Sequence, residues 1–303
     1  MTTNEIPDAI PLYQKMPYAV SWRAAAEQPA GIGGRLRSAV RRLTLDALSL
    51  LPNRPAQQFL RCLTCHYVFD DQKEQFAQLI NALSQTGTFI DTQSCVEMFR
   101  GLRPIDGPYF HLSFDDGLRN VVKNAFPVLS RKRIPAAFFI PTSLIDGDPD
   151  AVRHYCLQTT KYRAVIEMAS WDDLRHADPE LFEIGSHTQN HVRASQVSAE
   201  PELLRRELIQ SKAEIERQLG RPCRYLAWPY GQSSDVNQLA TQLAAAAGYD
   251  AAFGVERGSI VPGHSAPFCL PRHHFEVQWP RAHVLYFARG NMERPQERWN
   301  AHG

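Results

Sequence analysis

The chain has 303 residues, 44% of them hydrophobic, which suits one large α/β domain with extensions and a sizeable core. Its 33 Lys and Arg against 32 Asp and Glu leave a net charge of +1, so there is no basic field for nucleic acid. No apolar run approaches the roughly 18 residues of a membrane span, and six scattered cysteines in a chain this long do not suggest a disulfide framework.

Residues 1–58 read as an N-terminal extension. They hold several prolines, a Gly31-Ile32-Gly33-Gly34 break and a basic run at 35–42. The first residues carry neither a basic n-region nor an apolar h-region, so a signal peptide is not expected and a cytoplasmic location is. Residues 43–51 predict a short amphipathic helix stopped by Pro52. Two roles are open to it: docking on the catalytic domain, or peripheral contact with an anionic inner membrane through Arg35, Arg37, Arg41 and Arg42.

Over 59–280 apolar runs alternate with helical stretches, the pattern of parallel β/α units in a single catalytic domain. Strands are predicted to end at His66, Phe114, Ile140, Gly185 and Trp228, with later ones near 251–253 and 268–270. Cys62 and Cys65, in the first of these, read as reduced, buried cysteines, with a structural zinc site as the alternative. Residues 143–170 predict an insertion over the site, with 146–150 as a loop. The clearest helix covers 200–219, where Leu204, Leu208, Ile215 and Leu219 share a broad apolar face and Glu202 pairs with Arg206 four residues on. Residues 281–303 read as a terminal helix and tail.

The chemistry-bearing residues lie where these strands end. Ser113-Phe114-Asp115-Asp116-Gly117 closes one strand with two carboxylates whose side chains point apart, so one can ligate a metal while its neighbour stays off it. Asp-Asp-Gly alone also reads as a tight turn. After the 181–185 strand comes Ser186-His187-Thr188-Gln189-Asn190-His191, with imidazoles four apart, which one helical turn would bring to one face. Two His and one Asp make an open triad that suits zinc and other first-row metals. Trp228-Pro229-Tyr230-Gly231 ends a further strand in a turn able to set aromatic faces beside a sugar and expose a backbone N–H.

Taken together, these segments resemble the motifs of the polysaccharide deacetylases, the NodB-homology or carbohydrate esterase family 4 group. Trp171-Asp172-Asp173-Leu174 resembles the family's approach to its second motif, and the likeness runs from about 60 to 275. Two positions depart from the common pattern. Ala227 stands where the family's third motif has an Arg, and a late Leu-x-His is missing. The branch of poly-N-acetylglucosamine deacetylases is similar in both respects, and Leu63-Thr64-Cys65-His66 and Leu270-Pro271-Arg272 resemble its segments.

The resemblance implies a distorted (β/α)7 barrel with its site at the carboxyl ends of the strands. It implies Asp116, His187 and His191 as metal ligands, with zinc the default and iron, cobalt or nickel accepting the same set. Asp115, held by Arg272, would be the general base and His66 the acid, with His273 and His274 as competing candidates. Trp228, Pro229 and Tyr230 would line the substrate site. The expected reaction is removal of the N-acetyl group from an acetamido sugar of a surface glycan or of its nucleotide- or lipid-linked precursor. Hydrolysis of another C–N bond, in a formamide or cyclic amide, and a catalytically weak sugar-binding role are the alternatives.

Overall fold

The computed structural model describes residues 18–25, 43–48, 58–197, 199–263 and 265–293. Eight strands form one parallel sheet: β1 (Phe59–Cys65), β2 (Thr88–Ile90), β3 (Pro108–Phe114), β4 (Ala136–Ile140), β5 (Phe182–Ser186), β6 (Tyr225–Ala227), β7 (Ala251–Phe253) and β8 (Arg272–His274). They run in the order β7-β6-β5-β4-β3-β1-β8, with β2 added on β3. An isolated bridge between Phe253 and Leu270 ties β7 to the segment entering β8, so the seven-stranded path nearly closes. This is a distorted (β/α)7 barrel.

Strand alternation divides the core in two. In β1 all seven residues are buried. Phe59, Leu63 and Cys65 join Phe110, Leu112, Phe114 and Phe138 in the layer between barrel and helices. Leu60 and Cys62 instead join Ala137, Phe139, Tyr225, Ala227, Ala251 and Phe253 inside the barrel. Helix α1 (Lys73–Ser84) packs Phe76, Leu79, Ile80 and Leu83 on the outer layer. Helix α2 (Thr92–Phe99), capped by the Asp91 carboxylate on the Ser94 N–H at 2.7 Å, contributes Cys95, Val96, Met98 and Phe99 to the inner cluster and so packs into the barrel.

Three details differ from the sequence expectation. The strand expected at 268–270 shrinks to the Leu270 bridge, and the ladder to β1 is made by Arg272–His274 instead. Pro271, which has no N–H to give a ladder, separates the two. Strand β2 was not foreseen, being three residues with one buried, too short for a period to show. In the long helix α3 (Pro201–Leu219), which ends at left-handed Gly220, Glu202 pairs with Arg205 at 2.7 Å rather than with Arg206. Spacings of three and four are both neighbours on a helix, and Arg205 reaches the carboxylate through two nitrogens.

The described parts of the extension lie against the barrel. Ala19 N–H donates to Val165 O at 2.9 Å and Arg163 N–H to Ala25 O at 2.7 Å. Residues 43–48 are helical, Leu45 is buried, and Asp46 Oδ1 is 2.7 Å from His283 Nε2 of helix α4 (Arg281–Ala288). The basic run at 35–42 lies outside the described residues. Among the described residues no helix is long and apolar enough to cross a membrane.

Gly185 occupies the tightest interior position next to the site. A Cβ there would lie 2.6 Å from the Phe139 ring and 2.9 Å from the Tyr225 carbonyl oxygen. Gly185→Ala is therefore expected to lose about 1–3 kcal/mol of stability, read as a lower urea midpoint at unchanged slope.

Candidate active site

Asp116 follows β3, and His187 and His191 follow β5; all three are buried. The Nε2 atoms of His187 and His191 lie 3.6 and 3.4 Å from Asp116 Oδ1. Those separations are long for hydrogen bonds. They suit a shared cation, since two ligands each about 2.1 Å from a tetrahedral zinc sit about 3.4 Å apart. The His187 Nδ1–H donates to Ala227 O at 2.7 Å, which fixes the tautomer and leaves the Nε2 lone pair turned toward Asp116, where it could hold a cation. A carbonyl does this whatever the side chain at 227, and the guanidinium missing from that position is replaced on Asp115 by that of Arg272.

The histidine pair does not sit on a helical turn, as spacing alone suggested. Residues 187–193 are irregular, and both Thr188 (φ 63°) and His191 (φ 55°) are left-handed. Asp116 (φ 74°) and Tyr230 (φ 63°) share that conformation, so four strained non-glycine residues surround one point. The loop is held from outside. Glu207 of α3 accepts from Asn190 N–H at 2.8 Å and from its side-chain amide at 2.6 Å, and Ser211 Oγ donates to Thr188 O at 3.1 Å.

Charge is organised around the triad. Burial opposes ionisation of Asp116, but the two imidazoles outweigh it and hold the carboxyl well below its usual range. Burial lowers the pKa of His191, which keeps the ring neutral as a ligand must be. Burial opposes ionisation of Asp115 too. The Arg272 guanidinium overrides this through a fork of 2.8 and 2.7 Å and holds the carboxyl below its ordinary value. Arg272 is wholly buried, because the register of β8 on β1 sets it level with inward-facing Cys62. Its Nε–H donates to Gly254 O at 2.6 Å, and Nη1 also reaches Ser113 and Thr64 hydroxyls at 3.1 and 3.2 Å.

These groups open on a cleft of about 560 Å³ that also contains His66, His274, Trp228 and Tyr230. The His66 and His274 rings are 5.0 Å apart. Burial and the neighbouring His66 push the His274 pKa down to about 3. His273 does not reach the cleft. Alternation turns it outward, where its Nε2 meets Glu293 at 3.2 Å, and this removes it as a competing acid. Trp228 is fully buried, with its indole N–H donating to Phe268 O at 2.7 Å, and Pro229 is buried as well. Tyr230 is half-buried, with its ring 5.3 Å from that of His191 and the Arg193 guanidinium 3.7 Å above it.

Sequence reasoning missed part of the wall. Trp22 comes from the N-terminal extension, and Tyr67 and Tyr162, which also line the cleft, meet edge to face at 6.2 Å. Tyr155, from the 143–170 insertion, lies against the other side of His191 at 5.1 Å. Burial and the Asp116 charge raise its pKa well above the phenol value. No local pattern marks these aromatics as site residues; only the insertion itself was legible.

The sequence profile of the polysaccharide deacetylase family matches residues 103–252, a span that includes Asp115, Asp116, His187, His191 and Tyr230 but not His66 or Arg272. No curated protein sequence matches. Among solved structures, the chain is similar to IcaB from Ammonifex degensii, with 23% identity and TM-score 0.63 over 77% of this chain and 98% of that one. It is similar to the BpsB deacetylase domain from Bordetella bronchiseptica, with 23% identity and TM-score 0.60 over 74% and 98% of the two chains. A de-N-acetylase from Aggregatibacter actinomycetemcomitans gives 20% identity and TM-score 0.61 over 75% and 99%. At such identities the structural likeness is one of fold, and the family assignment rests on the profile together with the motifs. Residues 103–252 carry a polysaccharide deacetylase domain of the NodB-homology type, and the fold is similar to those of IcaB and the BpsB deacetylase domain.

Proposed function

We propose that this protein is a metal-dependent hydrolase that removes the N-acetyl group from an acetamido sugar of a surface glycan or its precursor, releasing acetate. The observation that carries the reading is the meeting of Asp116, His187 and His191 beside a second carboxylate, Asp115, clamped by Arg272. A divalent cation on the triad, with zinc the first choice for two imidazoles and a carboxylate, supplies Lewis acidity toward an amide carbonyl.

The protein's own groups do the rest. Asp115 takes a proton from the attacking water as general base, and the Arg272 fork keeps the carboxylate ionised and aimed. The water oxygen bonds to the amide carbon, and the Tyr230 backbone N–H steadies the oxyanion that develops. His66 gives its proton to the departing nitrogen as the C–N bond breaks, leaving acetate and a primary amine. His274 suits that role less well, because burial holds it neutral at physiological pH. The aromatic wall of Trp22, Tyr67, Tyr162 and Tyr230 offers ring faces to the apolar faces of a sugar.

Acetate release from N-acetylated amino-sugar oligomers, read alongside metal content, tests the assignment. Asp115→Asn is expected to keep its metal and lose turnover by about 100- to 10,000-fold, while His187→Ala loses both; a fully active Asp115→Asn contradicts the scheme. Arg272→Met leaves a buried carboxylate uncompensated and is expected to lose about 3–5 kcal/mol of stability in urea. Adding Asp115→Asn should recover part of that loss, and no recovery would mean that the cost is packing rather than charge.

A further inference from the structure

A second group of ligand atoms lies inside the barrel, away from the cleft. Cys62 of β1, His111 of β3 and Cys95 of helix α2 are each fully buried, with their ligand atoms within 4.8 Å of one another. Cys62 and His111 are register partners that point inward together. His111 precedes Asp115 by four residues, so this layer is about 13 Å below the base along the strand. Helix α2 closes over it from the inner core cluster.

We propose that Cys62, Cys95 and His111 hold a second cation, a thiophilic ion of the zinc type, which pins helix α2 to the floor of the barrel. Three observations carry this. The first is the sulfur spacing: Cys62 Sγ and Cys95 Sγ are 3.6 Å apart, against about 3.8 Å for two sulfurs each 2.3 Å from a tetrahedral zinc. A disulfide would need them to close to about 2.05 Å. The second is the imidazole. Its Nε2 meets Thr92 Oγ1 at 3.1 Å, while Nδ1 is buried with no hydrogen-bond partner among the described residues. Thr92 and Cys95 are one turn apart on the same helix, so a single helix face brings both a ligand and the group that orients the imidazole.

The third is charge. Two thiolates and a divalent cation cancel, which suits a dry interior where the Phe253 ring stacks on His111 at 5.1 Å. Thiolate and imidazole together select zinc-like ions over hard cations. The Cys62-x-x-Cys65 spacing is not the site, since strand alternation turns Cys65 outward, its thiol on Tyr67 O at 3.3 Å.

Cobalt(II) loading of the full chain tests the proposal, because thiolate ligation gives an intense near-ultraviolet charge-transfer band that carboxylate and imidazole ligands do not. The expected result is two cobalt ions per wild-type chain with the band present. His187→Ala should lose one cobalt and keep the band; Cys95→Ser should lose one cobalt and the band, as should Cys62→Ser. Failure of the catalytic triad to load leaves the band untouched, so the two sites fail separately. A cobalt-loaded wild type without the band overturns the proposal, whether or not the cysteine variants fold. So does a peptide map that finds Cys62 joined to Cys95 in a disulfide.

Discussion

One buried ion pair organises the site. Arg272 and Asp115 meet through a two-pronged contact inside the barrel, Arg272 wholly buried and Asp115 buried at the floor of the cleft. Such a pair adds little net stability over an apolar replacement, because desolvating both charges costs about what their attraction returns. Its value is positional. All three nitrogens of the planar guanidinium are engaged, by Gly254, by Thr64, Ser113 and Asp115, and again by Asp115, so the carboxylate has one orientation and one charge. The pair also joins β8 to β3 across the intervening β1, in a barrel closed by a single bridge on its other flank.

Around this rigid base the backbone is bent where the ligands need it. Asp116, Thr188, His191 and Tyr230 all adopt left-handed dihedrals that cost energy for residues with a Cβ. Support comes from the barrel and from α3: the Ala227 carbonyl steers His187, and Glu207 and Ser211 hold the loop from behind. A strained loop lets two imidazoles four residues apart face a carboxylate on another strand without the helix that spacing alone suggests.

How much of this could be read in the sequence depended on how local the signal was. Asp115, Asp116, His187 and His191 stand in short motifs just past apolar strands, so the strand pattern exposes them. Arg272 and His66 came only through resemblance, since their nearness to Asp115 is set by the β1–β8 and β1–β3 registers, which no local pattern encodes. The same register separated His273 from His274, which spacing left equivalent. Trp22, Tyr155 and Tyr162 escaped notice because they come from an extension and an insertion with no period. The Cys62, Cys95 and His111 group was hidden for the same reason: Cys95 is 33 residues from Cys62, and only Cys65 is near in sequence.

The central claim is that three side chains from two strand ends converge on one cation while Asp115 stays off it. Anomalous diffraction at the metal's absorption edge, from crystals of the loaded protein, tests this most directly. The account predicts a peak about 2.0–2.2 Å from Asp116 Oδ1 and from the Nε2 atoms of His187 and His191, with the Arg272–Asp115 fork intact. A metal ligated by Asp115, or no peak among these three residues in protein that hydrolyses its substrate, would contradict it.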